Sequence, residues 1–161
     1  MEKNFFTHML STRLGFSFLL LFAALGGCDD ATDDAAKYDD ERDACVARIN
    51  AFRDTLDLPP LARWRDGERC ADDEAKTDSK TKRAHSAFGS CGERAQNECP
   101  GWGSLEQVIS GCLQMMWDEG PGEPYSEHGH FLNMSNTSYT SVACGFHVTD
   151  DGAVWAVQNF K

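Results

Sequence analysis

The hydrophobic positions of the chain follow helical spacing in its first half and strand spacing at its end. Between residues 41 and 58 apolar side chains recur every three or four positions, which predicts an amphipathic helix that ends at Pro59-Pro60. A thinner apolar stripe predicts a second helix from Asp66 to about Ser79. These two segments predict the helical part of one domain.

The second half of the chain predicts a loop, a third helix and a hairpin. Five glycine or proline residues between residues 86 and 103 indicate a loop. Ser104-Leu105-Glu106-Gln107 matches a capping box, which predicts a helix start. Alternating apolar residues over 142–148 and 154–160 flank Asp150-Asp151-Gly152 and predict an antiparallel hairpin. Helices followed by strands are typical of an α+β domain with helices packed on a sheet.

The first 27 residues have the features of a secretory signal peptide. Lys3 and Arg13 precede an apolar run from Leu14 to Leu25, which is too short for a comfortable membrane span of about 20 residues. The run leads into Leu25-Gly26-Gly27-Cys28, a lipobox pattern in which the cysteine sulfur accepts diacylglycerol. We therefore predict a signal peptide at residues 1–27 and a lipid anchor on Cys28 that holds the protein to a membrane.

The cysteine count supports this interpretation. Seven cysteines are present, and lipidation of Cys28 leaves six, an even number suited to three disulfides in an oxidising, extracytoplasmic compartment such as the periplasm or cell surface. Six cysteines allow 15 connectivities. The sequence predicts one pair, Cys91 with Cys99, because both lie in the predicted loop.

The charge of the chain is strongly acidic. Its 26 Asp and Glu residues exceed its 15 Lys and Arg residues, giving a net charge of −11. Such a surface repels nucleic acid, which we exclude as a partner. Residues 28–42 combine this acidity with few apolar side chains and predict a flexible tether, so the folded domain is expected at residues 43–161.

Histidines and carboxylates supply the candidate chemistry. His85 and His130 lie near glycines and acidic residues, and two histidines with two glutamates could hold a divalent cation such as zinc. His128 and His130 are a competing pair if that segment is a strand, since alternate strand residues face the same side.

Seven short motifs occur in an order that covers nearly all of residues 43–161. They are Leu58-Pro59-Pro60-Leu61 with Trp64, His85-Ser86, Gly92-Glu93, Trp117-Asp118-Glu119, Gly129-His130-Phe131, Val142-Ala143-Cys144-Gly145 and Trp155-Ala156-Val157-Gln158-Asn159-Phe160. Together they resemble the CAP superfamily, also called SCP-like.

The resemblance implies a three-layer α-β-α sandwich with a central antiparallel sheet and a large cleft. It also implies a cation-binding tetrad of His85, Glu93, Glu119 and His130. Family members often carry Trp-x-x-Glu where this chain has Trp117-Asp118-Glu119, which leaves Glu123 and Glu127 as substitutes for Glu119.

Three functions are compatible with these features. The resemblance favours a non-catalytic module that binds a small-molecule, lipid or protein ligand. A metal-dependent hydrolase or peptidase would use Glu93 or Glu119 as general base, but the chain lacks His-Glu-x-x-His and Gly-x-Ser-x-Gly motifs. The third function is that of a structural envelope protein.

Overall fold

The computed structural model of the protein describes residues 37–161. The predicted signal peptide and Cys28 lie outside these residues, as does most of the predicted tether. None of the described helices is long and apolar enough to cross a membrane. The elements in chain order are α1 (Asp39–Asp54), β1 (Ala62–Arg63), α2 (Arg65–Thr81), β2 (Ala95–Trp102), α3 (Leu105–Gln107), a π-helical turn (Val108–Cys112), α4 (Leu113–Asp118), α5 (Tyr125–Ser135), β3 (Ser141–Val148) and β4 (Val154–Phe160).

The four strands form one sheet in the order β1-β3-β4-β2. β3 and β4 pair antiparallel from Val142 opposite Phe160 to Val148 opposite Val154, which confirms the predicted hairpin. β2 also pairs antiparallel with β4, whereas the two-residue β1 pairs parallel with β3. The sheet is therefore mixed, with an antiparallel centre, and the predicted α+β class is confirmed.

β2 corrects the prediction of a continuous loop over residues 86–103. Residues Ala95–Trp102 form an edge strand, and the register with β4 shifts between Cys99 and Trp102. Pro100 and Gly101, the latter with φ of +70°, lie within this shift. An edge strand with an irregularity tolerates a proline that cannot donate to a ladder, so the two residues do not prevent strand formation here.

Alternate residues of β3 face two different helical layers. Val142, Cys144 and Phe146 belong to the larger core with α1, α4 and the π-helical turn. Ala143 faces α2 in a smaller core, and Gly145 is so close to α2 that an added Cβ would overlap the Ala71 carbonyl carbon. Helices thus cover both faces of the sheet, which confirms the three-layer α-β-α sandwich.

The folded domain begins earlier than the predicted boundary at residue 43. Tyr38 is buried, and its ring centroid lies 5.6 Å from that of Phe146. Arg42 is also buried, and its guanidinium donates to Asp72 of α2 at 2.5 Å. Tyr38 and Arg42 are therefore part of the folded domain, whose first helix begins at Asp39.

The segment between α2 and β2, which we call the His85 loop (residues 82–94), is held by two buried carboxylates. Asp78 of α2 accepts hydrogen bonds from the Ser86 hydroxyl at 2.5 Å and the Ala87 amide at 2.9 Å. Glu98 of β2 accepts one from the His85 amide at 2.5 Å. Both carboxylates are almost completely buried, so the loop is attached by directional bonds rather than by apolar packing.

The six cysteines of the described domain form the three disulfides Cys45–Cys144, Cys70–Cys91 and Cys99–Cys112. The predicted pair of Cys91 with Cys99 is therefore wrong. Cys99 lies in the larger core, whereas Cys91 bonds to Cys70 of α2, which covers the opposite face of the sheet. Although Cys91 and Cys99 are close in sequence, they bond to partners on opposite faces of the sheet.

The disulfide that spans the longest stretch of chain should contribute most to stability. Cys45–Cys144 spans 99 residues, whereas Cys99–Cys112 spans 13, and all four cysteines are buried. We expect the Cys45→Ala/Cys144→Ala variant to lose about 4–5 kcal/mol and the matched Cys99→Ala/Cys112→Ala variant about 3 kcal/mol. Urea unfolding at equilibrium measures both, and an equal or reversed loss would contradict the expectation.

Folding stability should rise as the pH falls from about 8 toward 5. Burial, reinforced by the nearby Asp78, raises the pKa of Glu98 to about 8, although the His85 amide opposes the shift. The folded state then takes up a proton that the unfolded chain binds only at lower pH, which stabilises the fold in this window.

The Glu98→Gln variant tests this pH dependence, because the amide keeps the shape of the side chain and removes its charge. At pH 8 it should be about 1–3 kcal/mol more stable than the wild type, and the difference should shrink toward pH 5. Melting temperatures between pH 5 and 8.5 give the comparison, with the exposed Glu106→Gln as control. A difference that does not change with pH would contradict the assignment.

Candidate functional site

The two predicted histidines lie on the same cleft. His85 comes from the His85 loop and His130 from α5, and both line a cavity of about 230 Å³, which we call the histidine cleft. Their side chains are 42% and 35% exposed, so both imidazoles can reach a ligand from solvent. The other lining residues are Gln96, Tyr125, Ser126, Gly129 and Asn133.

His130 is held by Glu119, which immediately follows α4. The Glu119 carboxylate accepts from His130 Nδ1 at 2.5 Å and from the His130 backbone amide at 3.0 Å. Asn97 of β2 donates to the His130 carbonyl at 3.0 Å. Of the three glutamates considered from the sequence, Glu119 is the one that bonds to this histidine, whereas no such bond joins it to Glu123 or Glu127 among the described residues.

The His85 ring is hydrogen-bonded at Nδ1 by a side-chain amide, with the Glu98 carboxylate 3.7 Å from the same nitrogen. Its Nδ1 lies 2.8 Å from Gln96 Oε1. Gln96 Nε2 donates to Glu74 Oε2 and to Asn159 Oδ1, both at 3.0 Å, which uses both of its hydrogens. Gln96 Oε1 is therefore the acceptor, and the proton of the neutral imidazole lies on Nδ1 of His85.

Both imidazoles consequently keep Nε2 for other partners. Within residues 37–161, neither His85 nor His130 uses Nε2 in a hydrogen bond. Metal-ligating histidines characteristically donate their other ring N–H to an oxygen that fixes the tautomer. The two imidazoles of the histidine cleft thus present Nε2 as an available donor atom, with Gln96 and Glu119 as the groups that orient the rings.

Glu93, the fourth residue of the predicted tetrad, is bonded elsewhere. Its carboxylate accepts from the amide of Gly89 and, at 3.0 Å, from that of Cys91. It is buried and lies beside Glu74 of α2 instead of among the residues that line the histidine cleft. The structure therefore brings together His85, His130 and Glu119, with Gln96 in contact with His85 where Glu93 was expected.

Glu74, Cys91 and Glu93 form a second group of potential ligands. Their ligand atoms all lie within 4.8 Å of one another, close enough to hold a metal ion. Cys91 is bonded to Cys70, so its sulfur is not a thiolate and the group offers two carboxylates as strong donors. Burial, with the nearby Glu93 in addition, raises the pKa of Glu74 to about 7 against the effect of the Asn159 amide.

His128 has a structural role. The alternative pairing of His128 with His130 assumed a strand, which is wrong. Both residues lie on helix α5 and not on a strand. His128 Nδ1 lies 2.8 Å from the Glu119 carbonyl and 3.0 Å from that of Gly120, and its ring packs against Gly122. The side chain therefore fixes the turn between α4 and α5.

Ser86 gives no support to a serine hydrolase. Its hydroxyl donates to Asp78 at 2.5 Å and lies 2.8 Å from the Thr81 hydroxyl, so it is part of the loop attachment. A nucleophilic serine would need its hydroxyl within reach of a histidine base.

Gln96 and Asn133 are the site residues that sequence reasoning missed. Asn133 is buried, accepts from the Tyr125 hydroxyl at 3.1 Å and donates to Asn97 at 2.9 Å. The alternation of Gln96 and Glu98 along β2 was the available signal, since both contact His85. Assigning this segment to a loop concealed it.

Comparisons with known proteins agree with the fold. No curated protein matches the sequence. An outer surface protein from Borrelia burgdorferi superposes with a TM-score of 0.56 at 17% identity, covering 76% of this chain and 92% of that one. Na-ASP-1 superposes with a TM-score of 0.53 at 16% identity, covering 76% of this chain and 38% of that one.

The family is established by the sequence model of the cysteine-rich secretory protein family, CAP, which matches residues 46–160. The match includes both histidines of the cleft, the whole of the sheet and all but the first seven residues of α1. The chain therefore belongs to the CAP family.

Proposed function

We propose that the protein is a non-catalytic binding module displayed outside the cytoplasm on a lipid anchor, and that its histidine cleft holds a divalent cation such as zinc together with a ligand. His85 and His130 would hold the cation through Nε2. The cation would supply a positive centre that attracts an anionic or carbonyl oxygen of the ligand.

One observation carries this proposal: two imidazoles on one cleft are each fixed at Nδ1 by an oxygen. His85 is fixed by Gln96 at 2.8 Å and His130 by Glu119 at 2.5 Å. The packing of half-exposed rings does not require a fixed ring orientation. An imidazole that binds a metal does require one. The Glu119 carboxylate already accepts two bonds from His130, which favours a positioning role over that of a general base.

Three observations support an extracytoplasmic location. The domain contains three disulfides, which persist in oxidising compartments. The chain belongs to a family described as secretory, and one structural neighbour is an outer surface protein. The three disulfides take six of the seven cysteines and leave Cys28, at the end of the lipobox pattern, for lipidation.

Zinc titration of the full chain, purified in detergent and freed of metal, tests the cation site. We expect saturable binding that is weakened at least about tenfold in both His85→Ala and His130→Ala. His147→Ala is the matched control, because this histidine lies on β3, outside the histidine cleft. Calorimetry measures the affinity.

Either of two results would overturn the cation site. The first is no saturable binding to the wild type, and the second is binding that His85→Ala and His130→Ala leave unchanged. Circular dichroism of each variant, recorded at the same temperature, establishes that the fold is intact.

The Cys28→Ser variant tests the lipid anchor. In a bacterial host the wild type should fractionate with membranes, because each buried acyl methylene contributes about 0.8 kcal/mol. The variant, which lacks the acceptor sulfur, should be found in the soluble extracytoplasmic fraction. Ala31→Ser is the control for a serine near the same position, and a Cys28→Ser protein that stays with the membranes would disprove the anchor.

A further inference from the structure

A second cavity adjoins the histidine cleft and shares four of its lining residues. It has a volume of about 370 Å³, and we call it the arginine pocket. His85, Gln96, Tyr125 and Asn133 line both cavities. A ligand that enters the histidine cleft can therefore extend into the arginine pocket without leaving the protein surface.

Among the described residues that line these two cavities, Arg94 is the only arginine or lysine. Its guanidinium lies 5.1 Å from the centroid of the Tyr139 ring and donates to the Ser138 carbonyl and hydroxyl at 3.4 and 3.2 Å. Within residues 37–161 no carboxylate forms an ion pair with it. Although the chain has 26 acidic residues, the Arg94 guanidinium therefore remains able to pair with the anionic group of a ligand.

A second donor lies near Arg94. Asn136 Oδ1 accepts from both the amide and the hydroxyl of Ser138 at 2.8 Å, which fixes the orientation of the side-chain amide. Its Nδ2 donates to none of the described residues. Arg94 and Asn136 together offer the donors that an anionic group needs.

The rest of the pocket wall is aromatic or aliphatic. Phe88 and Tyr125 are 50% and 56% exposed, values that leave large apolar faces in contact with water. Leu132 and Tyr139 extend this wall. Covering such faces with an apolar group is favourable by about 25 cal/mol per Å² of area.

We propose that the arginine pocket binds a carboxylate attached to a compact apolar group, as at the end of a peptide with a hydrophobic C-terminal residue. The carboxylate pairs with the Arg94 guanidinium, and the apolar group lies against Phe88 and Tyr139. This ligand class rests on the proposed function, because the pocket opens into the histidine cleft.

Calorimetric titration of the full chain with N-acetyl-phenylalanine tests the proposal, with N-acetyl-phenylalaninamide as the uncharged counterpart. We expect the acid to bind and the amide to bind at least about tenfold more weakly, because the amide cannot form the charge-assisted hydrogen bond with Arg94. Decanoate, a carboxylate on a flexible chain, distinguishes a peptide terminus from an acyl chain as the source of the carboxylate.

Variants of Arg94 locate the binding. Arg94→Gln should weaken the acid about tenfold or more, and Arg94→Lys should recover part of the affinity because it restores the charge without the planar fork. Arg69→Gln is the matched control, since it removes an exposed arginine of α2 outside both cavities. Equal binding of acid and amide, no binding of either carboxylate, or full affinity in Arg94→Gln would overturn the proposal.

Failure of the cation site is distinguishable from failure of this proposal. The titrations are run with EDTA and again with zinc, and zinc binding to Arg94→Gln is measured separately. Carboxylate binding in EDTA that depends on Arg94 would support the pocket even if zinc does not bind. Normal zinc binding without carboxylate binding would support the cation site and contradict the proposed class of ligand.

Discussion

The burial of β4 on both faces is the constraint on which the rest of the structure depends. All seven residues of Val154–Phe160 are buried, so each face of the strand requires a helical layer. The strand also contains Asn159, whose side-chain amide loses its water partners on burial and needs partners within the protein. Asn159 finds them in Glu74 of α2 at 2.5 Å and in Gln96 of β2 at 3.0 Å. Because Gln96 then bonds to His85, satisfying a buried amide of the central strand also positions one half of the site.

Helix α2 is attached to the sheet through polar groups as much as through apolar ones. Its apolar contribution to the smaller core is limited to Ala71 and Ala75, and these small side chains permit its close approach to Gly145. Its buried carboxylates Glu74 and Asp78 reach the sheet and the His85 loop instead. Hydrogen bonds have a direction that apolar contacts lack, so this layer fixes the orientation of the loop as well as its position.

Periodicity predicted the parts of the fold in which a single pattern dominates. The first two helices and the terminal hairpin were correct, whereas β2 was missed because Pro100 and Gly101 indicate a turn unless the strand is known to lie at an edge. For the candidate site, the sequence named His85, His130 and Glu119, and the structure places these three residues close together. The sequence could not distinguish Glu93 from Gln96, since only the position of β4 and its buried Asn159 determines which side chain of the segment reaches His85. Disulfide connectivity was equally inaccessible, because it depends on which face of the sheet each cysteine occupies.

The His85 loop and α5 each contribute residues to both the histidine cleft and the arginine pocket. The loop provides His85 and Phe88, and α5 provides His130 and Leu132. A cation bound by both histidines would hold the loop and the helix at one separation, and that separation also sets the width of the neighbouring pocket. A carboxylate ligand whose apolar group lies against Phe88, in the pocket that Leu132 also lines, would favour the same arrangement. Each ligand would then lower the entropic cost of ordering the His85 loop and α5 for the other ligand. The cation and carboxylate affinities should therefore be coupled reciprocally.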